Sequence, residues 1–140
     1  MAFTGNFTCN TFKTGLMNGT FNFTSGSFYL ALYTNSAALN EDTTAYTATG
    51  EASGGNYVAG GNLLTIAQVP TVGNGDTAFI SFDNTSWTGA ITARGALIYL
   101  SGGGNPAVCV LDFGADKTST NTFTVQFPAV TNTSAIIRIS

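Results

Sequence analysis

Seven acids (Glu41, Asp42, Glu51, Asp76, Asp83, Asp112 and Asp116), four bases (Lys13, Arg94, Lys117 and Arg138), Cys9, Cys109 and five tyrosines are the entire ionisable stock of this 140-residue chain. No histidine is present. Nucleophilic catalysis needs a base beside the serine or cysteine, and without histidine that base would have to be Lys13 or Lys117. Neither lies in a nucleophile motif. Paired carboxylates could hydrolyse a glycosidic bond if two of them converged. Most of the acids sit beside turn residues, where they are expected to be solvated or bonded to nearby backbone. Glu41-Asp42-Thr43-Thr44 offers oxygen ligands without the spacing of a known calcium loop. No cysteine or histidine cluster suits zinc. Gly102-Gly103-Gly104 is not followed by Lys-Ser/Thr and a helix, so it reads as a hairpin turn and not a phosphate cradle. Asp112 differs from the other acids. It lies between Leu111 and Phe113 and is expected to meet Arg94 across a hairpin as a structural ion pair, because a buried charge needs a partner. No catalytic residue, cofactor or metal site is expected.

The composition points the same way. Charged residues make up 8% of the chain, against about 25% in an ordinary globular domain. A free monomer usually keeps itself soluble with charge, so part of this surface is expected to be covered by other subunits. The four cations are scattered and the net charge is −3, which argues against nucleic acid as a partner. No run of 18 apolar residues suggests a membrane span. The opening Met1-Ala2-Phe3-Thr4-Gly5-Asn6 does not read as a conventional secretory signal. On that reading the Asn-X-Ser/Thr triplets at Asn6, Asn18, Asn22, Asn84 and Asn132 are chance products of an Asn- and Thr-rich chain. Cys109, in an apolar run, reads as a small core residue. Cys9 is unassigned, and a bridge between the two is not expected in a reducing cytosol.

The elements that must position these residues are mostly strands. Phe12, Leu16 and Met17 suggest one short helix over residues 10–19, capped by Asn10 or Thr11 and ended by Gly19; Gly15 weakens it. Strands are expected at Phe28–Thr34, apolar on both faces, and at Leu63–Val69, stopped by Pro70. Gly73-Asn74-Gly75-Asp76 marks a hairpin into Thr77–Phe82. Asp83–Ser86 reads as a turn before Trp87. Ile91–Leu100 and Ala107–Phe113 form a hairpin across Ser101–Pro106. In Thr122–Phe127, Phe123, Val125 and Phe127 should face inward, and Ala135–Ile139 closes the chain. Residues 35–61 form a long irregular stretch, of the kind that carries function or lies against a neighbour. About seven to eight short strands with Gly/Asn turns predict one all-β domain over residues 1–140, a jelly-roll-like antiparallel β-sandwich with a single short N-terminal helix. Within residues 1–25, Phe3, Phe7, Phe12, Phe21 and Phe23 alternate with Thr, Asn and Gly. They belong either to an arm that packs on a neighbouring subunit or to an edge strand and helix on the chain's own core; the second is favoured. Together with Tyr46 and Tyr57 of the long loop they are the candidate subunit contacts.

Phe28-Tyr29-Leu30-Ala31-Leu32-Tyr33-Thr34, Gly50-Glu51-Ala52-Ser53-Gly54-Gly55-Asn56-Tyr57, Trp87 and Ala93-Arg94-Gly95-Ala96-Leu97-Ile98-Tyr99-Leu100 follow one another along the chain. In these segments, in its opening Met1–Phe7, in Asp112-Phe113-Gly114 and in Ile136-Ile137-Arg138, the chain resembles a family of small virion structural proteins of tailed bacteriophages. Members typically read as an "LALYT" strand, a "GE-V/A-SGG-x-Y" loop, a tryptophan and an "ARGALIYL"-like strand. The resemblance spans nearly the whole chain and brings no catalytic motif. It implies a non-enzymatic virion protein, assembled in the bacterial host cytoplasm, that decorates or cements the outer capsid shell. The partners would be the major capsid protein or other virion proteins, with homo-oligomers, trimers by expectation, at three-fold positions. The alternative is a tail-fibre or baseplate module that recognises host surface glycans through Trp87, Tyr46 and Tyr57, although Trp87 is expected in the core.

Overall fold

Phenylalanine builds the centre of this protein. In the computed structural model, which describes residues 3–131 and 133–139, the rings of Phe12, Phe21, Phe23, Phe28, Phe82 and Phe127 form a continuous chain of contacts. Phe12 meets Phe21 edge-on at 5.0 Å and Phe23 stacks on Phe28 at 4.4 Å. Phe82 then joins Phe23, Phe28 and Phe127. Such pairs add about 0.5–1.5 kcal/mol each beyond their burial. The Asn132 triplet and the opening Met1-Ala2 lie outside the described residues.

Around this centre the fold is all-β and sandwich-like, with one helix. The described elements are β1 (Phe7–Thr8), α1 (Asn10–Asn18), β2 (Phe28–Tyr33), β3 (Asn62–Leu63), β4 (Ile66–Val72), β5 (Ala78–Phe82), β6 (Thr85–Thr88), β7 (Thr92–Leu100), β8 (Ala107–Thr118), β9 (Thr122–Val125) and β10 (Ile137–Ile139). The ten strands exceed the expected seven to eight because β1 and β3 are two-residue pieces with little pattern of their own and β6 lies where a turn was expected; the closing strand is present as Ile137–Ile139, shorter than Ala135–Ile139. Five strands pair in the order β1-β8-β7-β2-β3, three as β10-β5-β4 and two as β6-β9. All pairings are antiparallel. Five of the six residues of β2 are buried, as an apolar run covered on both faces requires.

Three local expectations are corrected. Pro70 does not stop its strand: β4 continues to Val72, because it is an edge strand and its register shifts between Gln68 and Thr71, where a missing N–H breaks no ladder bond. Thr85 and Ser86 are not a turn; they pair with Val125 and Thr124 in β6–β9. Helix α1 is capped by neither Asn10 nor Thr11. Its N-cap is Cys9, which gives no side-chain bond, while the Asn10 N–H donates to the Glu41 carbonyl of the long loop at 2.8 Å. The C-cap is Gly19 at φ 81°, the left-handed conformation glycine favours. Gly15 has a packing reason inside the helix. A Cβ there would run into the Phe21 ring.

Residues 3–23 pack on the chain's own sheet. Phe3, Phe12, Phe21 and Phe23 are buried in the core, and Phe7 packs against it from β1. These four side chains serve the chain's own core, the alternative favoured from the sequence. Baring each one would cost about 1.5–3 kcal/mol.

Candidate functional site

Two tyrosines, Tyr46 and Tyr57, converge on one carboxylate, that of Glu51, and the other three flank this pair. The Tyr46 hydroxyl donates to Glu51 Oε1 at 2.6 Å. Glu51 Oε2 accepts from the Tyr57 hydroxyl at 2.5 Å and from the Gly60 N–H at 2.7 Å. The Tyr57 oxygen in turn accepts the Leu32 N–H of β2 at 2.9 Å. Tyr99 of β7 donates to the Gly60 carbonyl at 2.6 Å, and Tyr33 at the end of β2 donates to the Thr47 carbonyl at 2.6 Å. Tyr99 also stacks between Tyr29 and Tyr46, at 5.9 and 4.9 Å. Tyr33 and Tyr99 are buried; Glu51, Tyr46 and Tyr57 are half-buried.

Two strands and one loop create this arrangement. Tyr29 and Tyr99 face each other in the β2–β7 ladder, so their side chains share one face. The long irregular stretch then lies along the outer edge of β2. Tyr33 bridges to Glu51, the Ala52 N–H donates to the Leu32 carbonyl at 2.9 Å, and the Thr34 N–H donates to the Gly50 carbonyl. Farther on, Ala45 bridges to Pro106 and the Ala107 N–H donates to Thr44. Ala37, Leu39 and Ala52 are buried beneath the stretch. The loop therefore covers the free edge of β2 where β3 does not reach, and Glu51 ties its two arms together.

The electrostatics fit a clamp. Burial, followed by the hydrogen bond to Glu51, pushes the Tyr46 and Tyr57 phenols well above their usual range. Burial does the same for Tyr33 and brings Tyr99 to about 12. These phenols stay protonated at neutral pH as donors to a fixed acceptor, and the carboxylate is already engaged by three donors of its own chain. Among the described residues no three acids, cysteines or histidines gather as a metal group. Asp42 is bonded to the Asn10 side chain at 2.9 Å.

Of the sequence candidates, Arg94 and Asp112 come together. Arg94 Nε lies 2.9 Å from Asp112 Oδ1, and the second nitrogen lies 3.5 Å from Oδ2. The Gly114 N–H donates to the same Oδ1. The hydrogen bond from Arg94, aided by the Gly114 N–H and the guanidinium charge and opposed by burial, holds the Asp112 carboxyl below its usual range. The pair straddles an irregularity in the β7–β8 ladder between Ala93 and Gly95. Tyr46 and Tyr57 sit in the clamp. Trp87 is buried, with its ring 5.5 Å from Tyr57. Cys9 and Cys109 are free and buried, and burial raises their thiols to about 11 and 12.

Sequence reasoning missed Glu51 as the centre. It read as one more acid beside glycine turns. The available signal was its place between Tyr46 and Tyr57 in an otherwise acid-poor segment; the contributions of Tyr99 and Gly60 depend on tertiary contacts alone. No protein-family model, curated protein or solved structure matches the chain.

Proposed function

We propose that this chain is a non-enzymatic structural subunit of a bacteriophage particle, bound to the outer surface of the capsid shell as a decoration or cement protein. The virion part of the reading rests on the resemblance of the "LALYT", "GE-ASGG-x-Y" and "ARGALIYL" segments. The observation that carries the contact part is apolar surface left in water: Met17, Val69, Val72 and Ile139 are 83, 50, 65 and 54% exposed. This occurs on a chain with few charges to keep it apart from its neighbours. Glycan recognition at a tail draws less support, because Trp87 is buried and Tyr46 and Tyr57 are engaged with Glu51. Self-association as a trimer at three-fold positions belongs to the same proposal.

A cement protein binds the assembled shell and not its dissociated subunits, so it stabilises the shell by mass action. Purified protein mixed with undecorated shells should co-sediment with them and raise their melting temperature by several degrees. Failure to co-sediment, with unchanged shell melting, overturns the proposal. Copy number per particle, high for a shell lattice and low for a tail, is the accompanying measurement.

A further inference from the structure

The two larger sheets leave a gap between their edges. β1 is one outer strand of the five-stranded sheet and β10 is an outer strand of the three-stranded sheet. Residues of both line one cleft of about 870 Å³, together with α1. Its apolar lining includes Phe12, Leu16, Val108 and Ile137, and Lys13 and Arg138 also line it. Two of the chain's four cations thus border one cleft, and among the described residues no acidic side chain lines it. Lys13 bonds to the Asn10 side-chain oxygen at 3.3 Å, which places Asp42 one residue removed. Arg138 donates to the Thr133 carbonyl at 2.5 Å. Neither forms an ion pair among the described residues. Beyond its pairing with β5, Ile137–Ile139 makes no backbone hydrogen bond among the described residues.

The apolar lining continues past the cleft. Ile139 and Val72 both lie opposite Ala78, one from each side, so the three share a face of the sheet. Both are more than half exposed. A smaller apolar hollow between α1 and this sheet shares Phe12, Leu16, Ile137 and Ile139 with the cleft. An open strand edge and an apolar floor beside it are the parts used in β-strand addition, and the cations at its border favour a segment that carries an acid. There the main chain supplies the bonds and alternate side chains fill the pockets.

We propose that this cleft takes an extended apolar segment of a partner protein, added as a strand along the free edge of β10, with a carboxylate of that segment held by Lys13 and Arg138. As the contact made with the capsid shell, this rests on the function proposed above; as a binding cleft, it stands apart from it. The test is an NMR titration of the full chain with a blocked heptapeptide of alternating valine and threonine carrying one central aspartate. A second peptide carries lysine at that place. The aspartate peptide should shift the amide signals of α1 and β10 saturably, with a Kd of about 0.1–1 mM, and bind about 10-fold tighter than the lysine peptide, a margin in keeping with two partly exposed charges. The double variant Lys13→Glu, Arg138→Glu should reverse that preference. Both side chains are exposed, so the fold should be kept. No saturable shift at β10, or equal binding of the two peptides, overturns the proposal. The same variant is then mixed with undecorated shells. Wild-type binding with a 10-fold or greater loss in the variant is the expected result. Equal binding of both overturns the cleft as the shell contact. Wild-type protein that leaves shells bare overturns the decoration reading, and the peptide result then decides the cleft alone.

Discussion

Removing the carboxylate of Glu51 should unfasten the loop that covers the β2 edge. In Glu51→Ala the Tyr46 hydroxyl, the Tyr57 hydroxyl and the Gly60 N–H all lose their acceptor. A buried hydrogen bond to a charged group contributes about 1.5–3 kcal/mol net. Here the carboxylate and two donors are half-buried, so water replaces part of what is lost, and about 1 kcal/mol per bond is the better figure. The expected cost is about 3 kcal/mol, far above the ±0.5 kcal/mol typical of an ordinary surface change. With a urea slope of about 1.5 kcal/mol/M the midpoint falls by about 2 M. Glu51→Gln keeps the shape and one acceptor oxygen, so it should cost about half as much. Urea unfolding can be followed by the fluorescence of Trp87, the chain's single tryptophan, alongside far-ultraviolet circular dichroism; coincident curves establish two-state behaviour. Combining Glu51→Ala with Tyr57→Phe should give less than the sum of the single effects by about 1 kcal/mol, because the two share a bond. A Glu51→Ala midpoint within 0.3 M of wild type, roughly 0.5 kcal/mol on the same slope, would refute the clamp.

Three further outcomes are expected. Tyr33 and Tyr57 keep their protons in the fold at pH values where the unfolded chain, with phenols at 10, has lost them. Stability should therefore be flat with respect to these groups below pH 10 and then fall, each contributing a loss of about 1.4 kcal/mol per pH unit; urea midpoints that do not change between pH 9.5 and about 11 contradict this. Gly15→Ala should cost about 1–2 kcal/mol, since the Phe21 ring must move and the gain in helix propensity offsets only part of the overpacking. The exposed Met17→Ala in the same helix should be near neutral by the same urea unfolding. Ser81 is fully buried and its hydroxyl has no partner among the described residues, so Ser81→Ala should raise stability by about 1 kcal/mol, and a loss of that size would show that the hydroxyl is bonded after all.

How much of this was legible beforehand varied with the range of the interaction. The β2 run, the β7–β8 hairpin, the Gly73–Asp76 hairpin turn and the inward Phe123 and Val125 are local patterns, and they stand where periodicity and turn chemistry put them. The Arg94–Asp112 pair was legible because Asp112, set among apolar residues, needs a partner and Arg94 is the one cation on the facing arm of the hairpin near it; the exact register, which shifts twice along the ladder, was not. The continuation of β4 through Pro70 was not, since edge placement is a property of the sheet and not of the strand. The cap of α1 was missed for a similar reason: the acceptor for Asn10 N–H comes from Glu41, in a loop distant along the chain.

Composition and alternation by themselves determined that this chain would be β-rich, sparing in charge and dependent on aromatic packing. Those properties are sums over side chains or repeat every second residue, so no knowledge of the partner strand is needed. The tertiary structure decided that Phe3, Phe12, Phe21 and Phe23 serve the chain's own core, that Glu51 is a fastening point for Tyr46, Tyr57 and the Gly60 N–H, and that the β1 and β10 edges leave a cleft bordered by Lys13 and Arg138. Each of these depends on which segments meet. That choice is set by the burial and hydrogen bonding of the whole chain at once, so no local window of residues contains it.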